Sequence, residues 1–169
     1  MRIAGIAIAL AVCTASMGCT VGGDMTDAEL DETMLSSFES YLTMERINAR
    51  PYTSTLGAFG INCYVAGDVA NYRKIHPERA GANVTVAFGT VIVREVLDAK
   101  GQISKLTVMA KGPPGYDPTL GDWWFAVTDP RGAPLTENGV VQLGRLNQCH
   151  NCHLDRGRDD FLFGVPSGT

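Results

Sequence analysis

Residues Cys149-His150-Asn151-Cys152-His153 place two thiols three positions apart, with an imidazole directly after the second. Thiols so spaced could form a redox pair, half of a zinc site, or two thioethers to the vinyl groups of a haem. The trailing histidine favours the last, because it reaches an iron from the side on which the chain already lies. Cys-x-x-Cys-His is the attachment pattern of a c-type haem, and a proximal histidine is one of the few side chains that hold haem iron. With 5 Cys and 3 His in 169 residues, chance would place the pattern about 0.003 times in such a chain. A structural zinc site needs a second Cys/His pair; Cys63, His76 and His150 are scattered or adjacent to the motif. A thioredoxin-type pair opens a helix after a strand in an α/β pattern, and none precedes this one. The expected cofactor is therefore haem c, bound through Cys149 and Cys152, with His153 on the iron. What fills the sixth iron position then decides the activity.

The N-terminus agrees with haem attachment outside the cytoplasm. Met1-Arg2 is a short positive region, residues 3–12 are apolar, and small residues lead to Gly18-Cys19. This reads as a signal peptide over 1–18, a tether over 19–26 and one haem domain over 27–169. Gly18-Cys19 resembles a lipoprotein box, so Cys19 is the expected site of lipid attachment, although Ser16 stands where leucine is usual and ordinary cleavage near 16–18 is the alternative. The expectation is an exported, periplasmic protein held to a bacterial membrane by lipid alone, since no second apolar run could span a bilayer. A net charge of −4 without basic runs argues against a nucleic-acid partner. Cys63 reads as a small buried strand residue, and His76 as a surface histidine near a helix end.

These groups need a scaffold. Thr26-Asp27-Ala28-Glu29 is a capping box, and Leu30, Met34, Phe38, Tyr41, Leu42 and Ile47 recur at helical spacing up to Arg50-Pro51. Residues 59–66 alternate as a strand, with Cys63 on its apolar side. Asp68 caps a short helix reaching Ile75. A long strand over 84–97, bent or bulged at Gly89, turns at 98–101 and returns over 103–110. A loop over 111–118 precedes a strand over 122–128, and residues 129–132 turn again. Successive strands predict an α+β fold, mainly an antiparallel β-sheet, with an N-terminal helix and a C-terminal haem-binding segment.

Several blocks then resemble the cytochrome P-460 family, in one order and over about residues 55–166. Residues 88–95, Phe-Gly-Thr-Val-Ile-Val-Arg-Glu, resemble its strand signature; Gly115-Tyr116-Asp117-Pro118 with Gly121-Asp122-Trp123-Trp124-Phe125 resembles its next block. The haem motif follows, and Asp160-Phe161-Leu162-Phe163 resembles its ending. The resemblance implies an antiparallel haem domain, often a homodimer, with five-coordinate iron, that oxidises hydroxylamine and nitric oxide or, like the similar cytochrome c-prime-beta proteins, binds such gases. It also implies Cys149 and Cys152 as thioether residues and His153 as proximal ligand. In cytochrome P-460 proper the signature carries a lysine cross-linked to the haem; Arg94 stands there here. A guanidinium stays protonated and is a poor nucleophile, which puts hydroxylamine oxidation in doubt.

Arg94 is the pocket candidate, since alternation groups it with Ile92 and Val96. Phe88, Met109, Trp123 and Phe125 are candidates for the distal wall, and Met109 for a sixth ligand. Gln142, Arg145, Asn147 and Glu137 lie before the motif without an acid that can be placed. The expected function is binding or redox transformation of a small nitrogen compound at an open iron, served by a redox partner protein. The alternative is a periplasmic electron carrier with six-coordinate haem.

Overall fold

Thr26 opens the first helix as its sequence requires. Its hydroxyl accepts the Glu29 N–H at 3.3 Å, and the Glu29 carboxylate accepts the Thr26 N–H at 2.8 Å. A computed structural model of the chain describes residues 25–54 and 60–169. The signal peptide, Cys19, most of the tether and Phe59 lie outside the described residues. The helices are α1 (Asp27–Ser36), α2 (Val69–Tyr72) and α3 (Asn147–His153). The strands are β1 (Glu45–Arg46), β2 (Gly60–Ala66), β3 (Val91–Leu97), β4 (Ile103–Lys111), β5 (Trp123–Thr128), β6 (Thr136–Glu137), β7 (Val140–Val141) and β8 (Leu143–Gly144). Six strands form one antiparallel sheet in the order β1-β2-β3-β4-β5-β8, while β6 and β7 pair separately. The fold is α+β, as the strand runs predicted.

The first helix is shorter than its apolar periodicity suggests. After Ser36 the serines bond back to the helix: Ser36 Oγ donates to Thr33 O and Ser37 Oγ to Met34 O. Such bonds compete with helix continuation. A 3₁₀ turn at Tyr41–Thr43 follows, and then β1 pairs with β2. Leu42, expected on the apolar face, is exposed, while Ile47 packs against the opposite side of the sheet. The strand expected over 84–97 begins only at Val91. Gly89, with φ 79°, ends a turn closed by Thr90 N–H to Ala87 O, and the register shift of β3 falls at Val96/Leu97 instead. The helix after Asp68 ends at Tyr72 rather than Ile75.

Period-2 alternation gives the sheet two apolar faces. On one, Tyr64, Val91, Val93, Leu106, Val108, Trp124 and Ala126 pack under Leu30 and Met34 of α1 and under Phe38 and Tyr41. Two polar ties hold this layer: Tyr41 Oη donates to Glu95 at 2.9 Å, and Trp124 Nε1 to Asp31 at 2.6 Å. On the other face, Ile61, Cys63, Val65, Ile92, Met109, Trp123 and Phe125 are covered by Tyr72, Ile75, Leu162 and Val165. Each wholly buried aliphatic side chain contributes about 1.5–3 kcal/mol. The segment Cys149–His153 approaches this second face.

Candidate functional site

After β8 at the sheet edge, Leu146 starts α3, and one short helix then carries the whole motif. Cys149 is half-buried and Cys152 exposed; both are free thiols. Burial, reinforced by Cys152 and opposed by Lys105, pushes the Cys149 thiol up to about 11. His153 is half-buried between two aromatic edges, Phe125 at 5.5 Å and Phe163 at 5.0 Å between ring centroids.

The histidine is oriented by a backbone carbonyl. Its Nδ1 lies 2.5 Å from Phe161 O. A carbonyl only accepts, so Nδ1 carries the hydrogen and Nε2 keeps its lone pair. Burial lowers the imidazole to about 4, against the pull of the Phe161 bond and with a smaller push from the Arg94 charge. The ring is thus neutral around pH 7, the form a metal requires. A carbonyl on the far nitrogen of a ligating histidine fixes its tautomer and raises its basicity.

The carbonyl is held in place at some conformational cost. Asp160 and Phe161 are consecutive non-glycine residues with left-handed backbone, φ 52° and 61°. Such residues persist where their surroundings over-determine them. Lys111 Nζ meets Asp160 Oδ1 at 2.6 Å with both side chains nearly buried, and Asp160 Oδ2 accepts the Val86 N–H at 3.0 Å. Trp123 Nε1 donates to Asp160 O at 2.8 Å. Next to it, Asp159 accepts the N–H groups of Gly81 and Ala82 and pairs with Arg156 at 2.8 Å.

Two hollows meet at His153 and Cys152. One, about 280 Å³, lies against the sheet and is lined by Ile92, Arg94, Thr107, Met109, Phe125 and Cys149 among others. The second, about 130 Å³, is lined by Tyr52, Arg94, Phe163 and Gly164 among others. Larger is a hollow of about 700 Å³ near Phe38 and Leu106, but it lies on the α1 face and has no thiol or imidazole. Arg94 borders both hollows at the motif. Its Nη2 donates to Gly164 O at 3.2 Å and approaches Tyr72 Oη at 3.5 Å, while its buried Nε has no acceptor. The buried Tyr52 hydroxyl also lacks a partner.

The structure thus brings Arg94, Met109 and Phe125 to the motif and leaves other expected wall residues elsewhere. Phe88 is 64% exposed, in the turn before β3. Trp123 is wholly buried and borders neither hollow, because its indole is tied to Asp160. Arg145 faces outward to Asp27 and Tyr116, and Glu137 is exposed on β6. Gln142 reaches the site only through Gln148, whose Nε2 donates to it. Asn147 is exposed at the start of α3. His76 borders neither hollow, and its Nδ1 faces Ser167. Cys63 is fully buried on β2, as expected, beside Tyr72 at 3.3 Å.

Sequence reasoning missed Tyr52, Lys111, Asp159, Asp160 and the Phe161 carbonyl as parts of the site. Tyr52 carries no local signal. The adjacent acids Asp159-Asp160, just past the motif and before an apolar run, were the one available hint. Among the described residues, no three or more His, Cys, Asp or Glu side chains group as a metal ion would require; the motif has no second pair to complete a zinc site. No protein-family model matches the chain, and a search of curated proteins returns no match.

Proposed function

We propose that the protein is an exported c-type haem protein that binds, or transforms by electron transfer, small nitrogen compounds such as nitric oxide and hydroxylamine. The observation that carries this reading is the placement of His153: fixed through Nδ1, with Nε2 facing no partner among the described residues, on the same short helix as two free thiols. The surroundings fit a covalently held haem. An apolar hollow bordered by Ile92, Met109 and Phe125 lies against both cysteines; of two buried donors without partners, Arg94 Nε belongs to a residue on its wall and Tyr52 Oη to one on the wall of the adjoining hollow.

In this reading Cys149 and Cys152 hold the macrocycle through thioethers and His153 holds the iron from one side. Haem would supply an iron centre that binds diatomic ligands and exchanges single electrons. The protein's own part is to keep His153 neutral and aligned, to line the site with groups that exclude water, and to set the fixed charge of Arg94 beside it. The likeness of 88–95, 115–125 and 160–163 to the cytochrome P-460 family points to nitrogen-oxide chemistry, and Arg94 in the lysine slot favours binding over hydroxylamine turnover. Lipid attachment at Cys19, a periplasmic site, a redox partner protein and a homodimer belong to the same proposal.

One observation favours a second reading. Met109 borders the same hollow as His153, and methionine as sixth ligand suits an electron carrier. Acid-acetone extraction of the purified holoprotein tests the covalent link: haem in the organic phase would end the c-type reading. Absorption spectra then separate the functions. A high-spin resting spectrum that changes on adding nitric oxide supports the open site, and a low-spin spectrum abolished by Met109→Leu supports the carrier.

A further inference from the structure

Arg94 extends from the middle of β3 into the sheet face that carries the motif; the residue is half-buried there, with its Nε wholly enclosed. Among the described residues, no carboxylate lies within 4 Å of the guanidinium. Its neighbours are the Tyr72 hydroxyl and the Gly164 carbonyl, with Cys63 and Tyr52 close by. None supplies a negative charge, since burial holds the Tyr52, Tyr72 and Cys63 groups in their neutral forms. A cation partly withdrawn from water without a counter-charge is disfavoured. Arginine cannot escape by losing its proton.

The two unsatisfied donors supply the rest. Among the described residues, only Arg94 Nε and Tyr52 Oη are buried side-chain polar atoms without a partner. Both belong to residues on the wall of one hollow of about 130 Å³, which also touches His153. Missing charge and missing acceptors have one remedy, an anion with oxygen acceptors. A guanidinium matches planar oxyanions in particular, through charge-assisted bonds.

We propose that Arg94 and Tyr52 form a binding site for one small planar oxyanion in the hollow beside His153. Two sources share this chemistry: a propionate of the haem proposed above, and a free anion of carboxylate or nitrite size. The first source rests on the haem reading; the second does not.

The test uses the full-length holoprotein with Arg94→Leu, Arg94→Lys and Tyr52→Phe. Sodium formate is titrated by calorimetry, and the propionate bending band is followed by resonance Raman. With a free anion as occupant, formate binds wild-type protein saturably; affinity falls about tenfold or more in Arg94→Leu, less in Tyr52→Phe, and is partly kept in Arg94→Lys. With a propionate as occupant, formate does not bind, and the propionate band shifts in Arg94→Leu and Tyr52→Phe. Formate that binds no variant differently, together with an unmoved band in all of them, overturns the site. Should Arg94→Leu fail to fold, Tyr52→Phe and Arg94→Lys decide by the same readouts. Haem that extracts into acid-acetone sinks the c-type reading alone, and the formate and propionate arms on the intact holoprotein still decide the anion site.

Discussion

Phe161 O lies 2.5 Å from Nδ1 of His153, and the residue that delivers it has φ 61°. A left-handed phenylalanine is an unusual device for so short a reach. It works because Asp160, one position earlier, is tied by its carboxylate to Lys111 and Val86 and by its carbonyl to Trp123. The alignment of the motif histidine therefore depends on a lysine at the end of β4.

Lys111→Met should be costly in two ways. It leaves the Asp160 carboxylate buried with one backbone donor, and removing one partner of a buried pair costs about 3–5 kcal/mol. It also loosens the segment that carries Phe161, so with haem bound as proposed the absorption spectrum should change where a remote core substitution of equal cost leaves it intact. Urea unfolding and absorption spectra of the two variants check this; equal spectra would detach Lys111 from His153.

Gly164→Ala should destabilise the fold by more than about 2 kcal/mol. Gly164 has φ 65°, and a Cβ there would collide with Ile75 O, a backbone atom that cannot swing aside. The Gly164 carbonyl also accepts from Arg94, so a shifted backbone disturbs that contact as well. Thermal unfolding of the variant gives the magnitude, and a change under about 0.5 kcal/mol, the size of an ordinary surface substitution, would show that the 75–164 contact is loose.

The haem-free protein should reveal the environment of Cys149. Burial raises its thiol to about 11 from an ordinary value near 9, and the thiolate is the reactive form. Its alkylation, mapped by peptide mass, should keep accelerating with pH up to about 11. The sign is the same for stability: the buried neutral thiol contributes below pH 9, and that contribution fades as pH climbs toward 11. A Cys149 alkylation rate that levels off near pH 9 would place the thiol in solvent.

Arg94 should form no covalent bond to haem, since a guanidinium is a poor nucleophile. A tryptic haem peptide should hold two thioethers and nothing else. Arg94→Lys puts a primary amine at the same position on β3, and a third link appearing only in that variant would show that this position reaches the haem edge. A third link in the wild-type protein would contradict the expectation.

The hairpin of β3 and β4 was readable because alternation and the turn at Asp98–Gly101 agree, and Asp98 N–H to Gln102 O closes it. The capping box of Thr26 was readable because it is local. Residues 84–90 misread as strand for the opposite reason. Backbone N–H groups in and just before this stretch go to carboxylates distant in sequence: Gly81 and Ala82 to Asp159, Val86 to Asp160, Ala87 to Asp68. Apolar residues such as Val84 and Val86 look strand-like, but among the described residues no strand pairs with them. The Cys149–His153 pattern was legible because the covalent haem attachment proposed for it would require those residues adjacent in sequence. Tyr52 and the Phe161 carbonyl join the site only through tertiary packing, and no spacing rule marks them.

The sheet has one layer of polypeptide between α1 and the motif, and alternate residues of each strand belong to different sides. It acts as a septum. Val93 and Leu106 report to the helix, while Arg94 and Thr107, their immediate neighbours in sequence, report to the hollow. Drift in the α1 layer would register in a calorimeter and stay silent in a spectrometer. A lineage could thus retune its chemistry or its durability separately, one residue apart on the same strand.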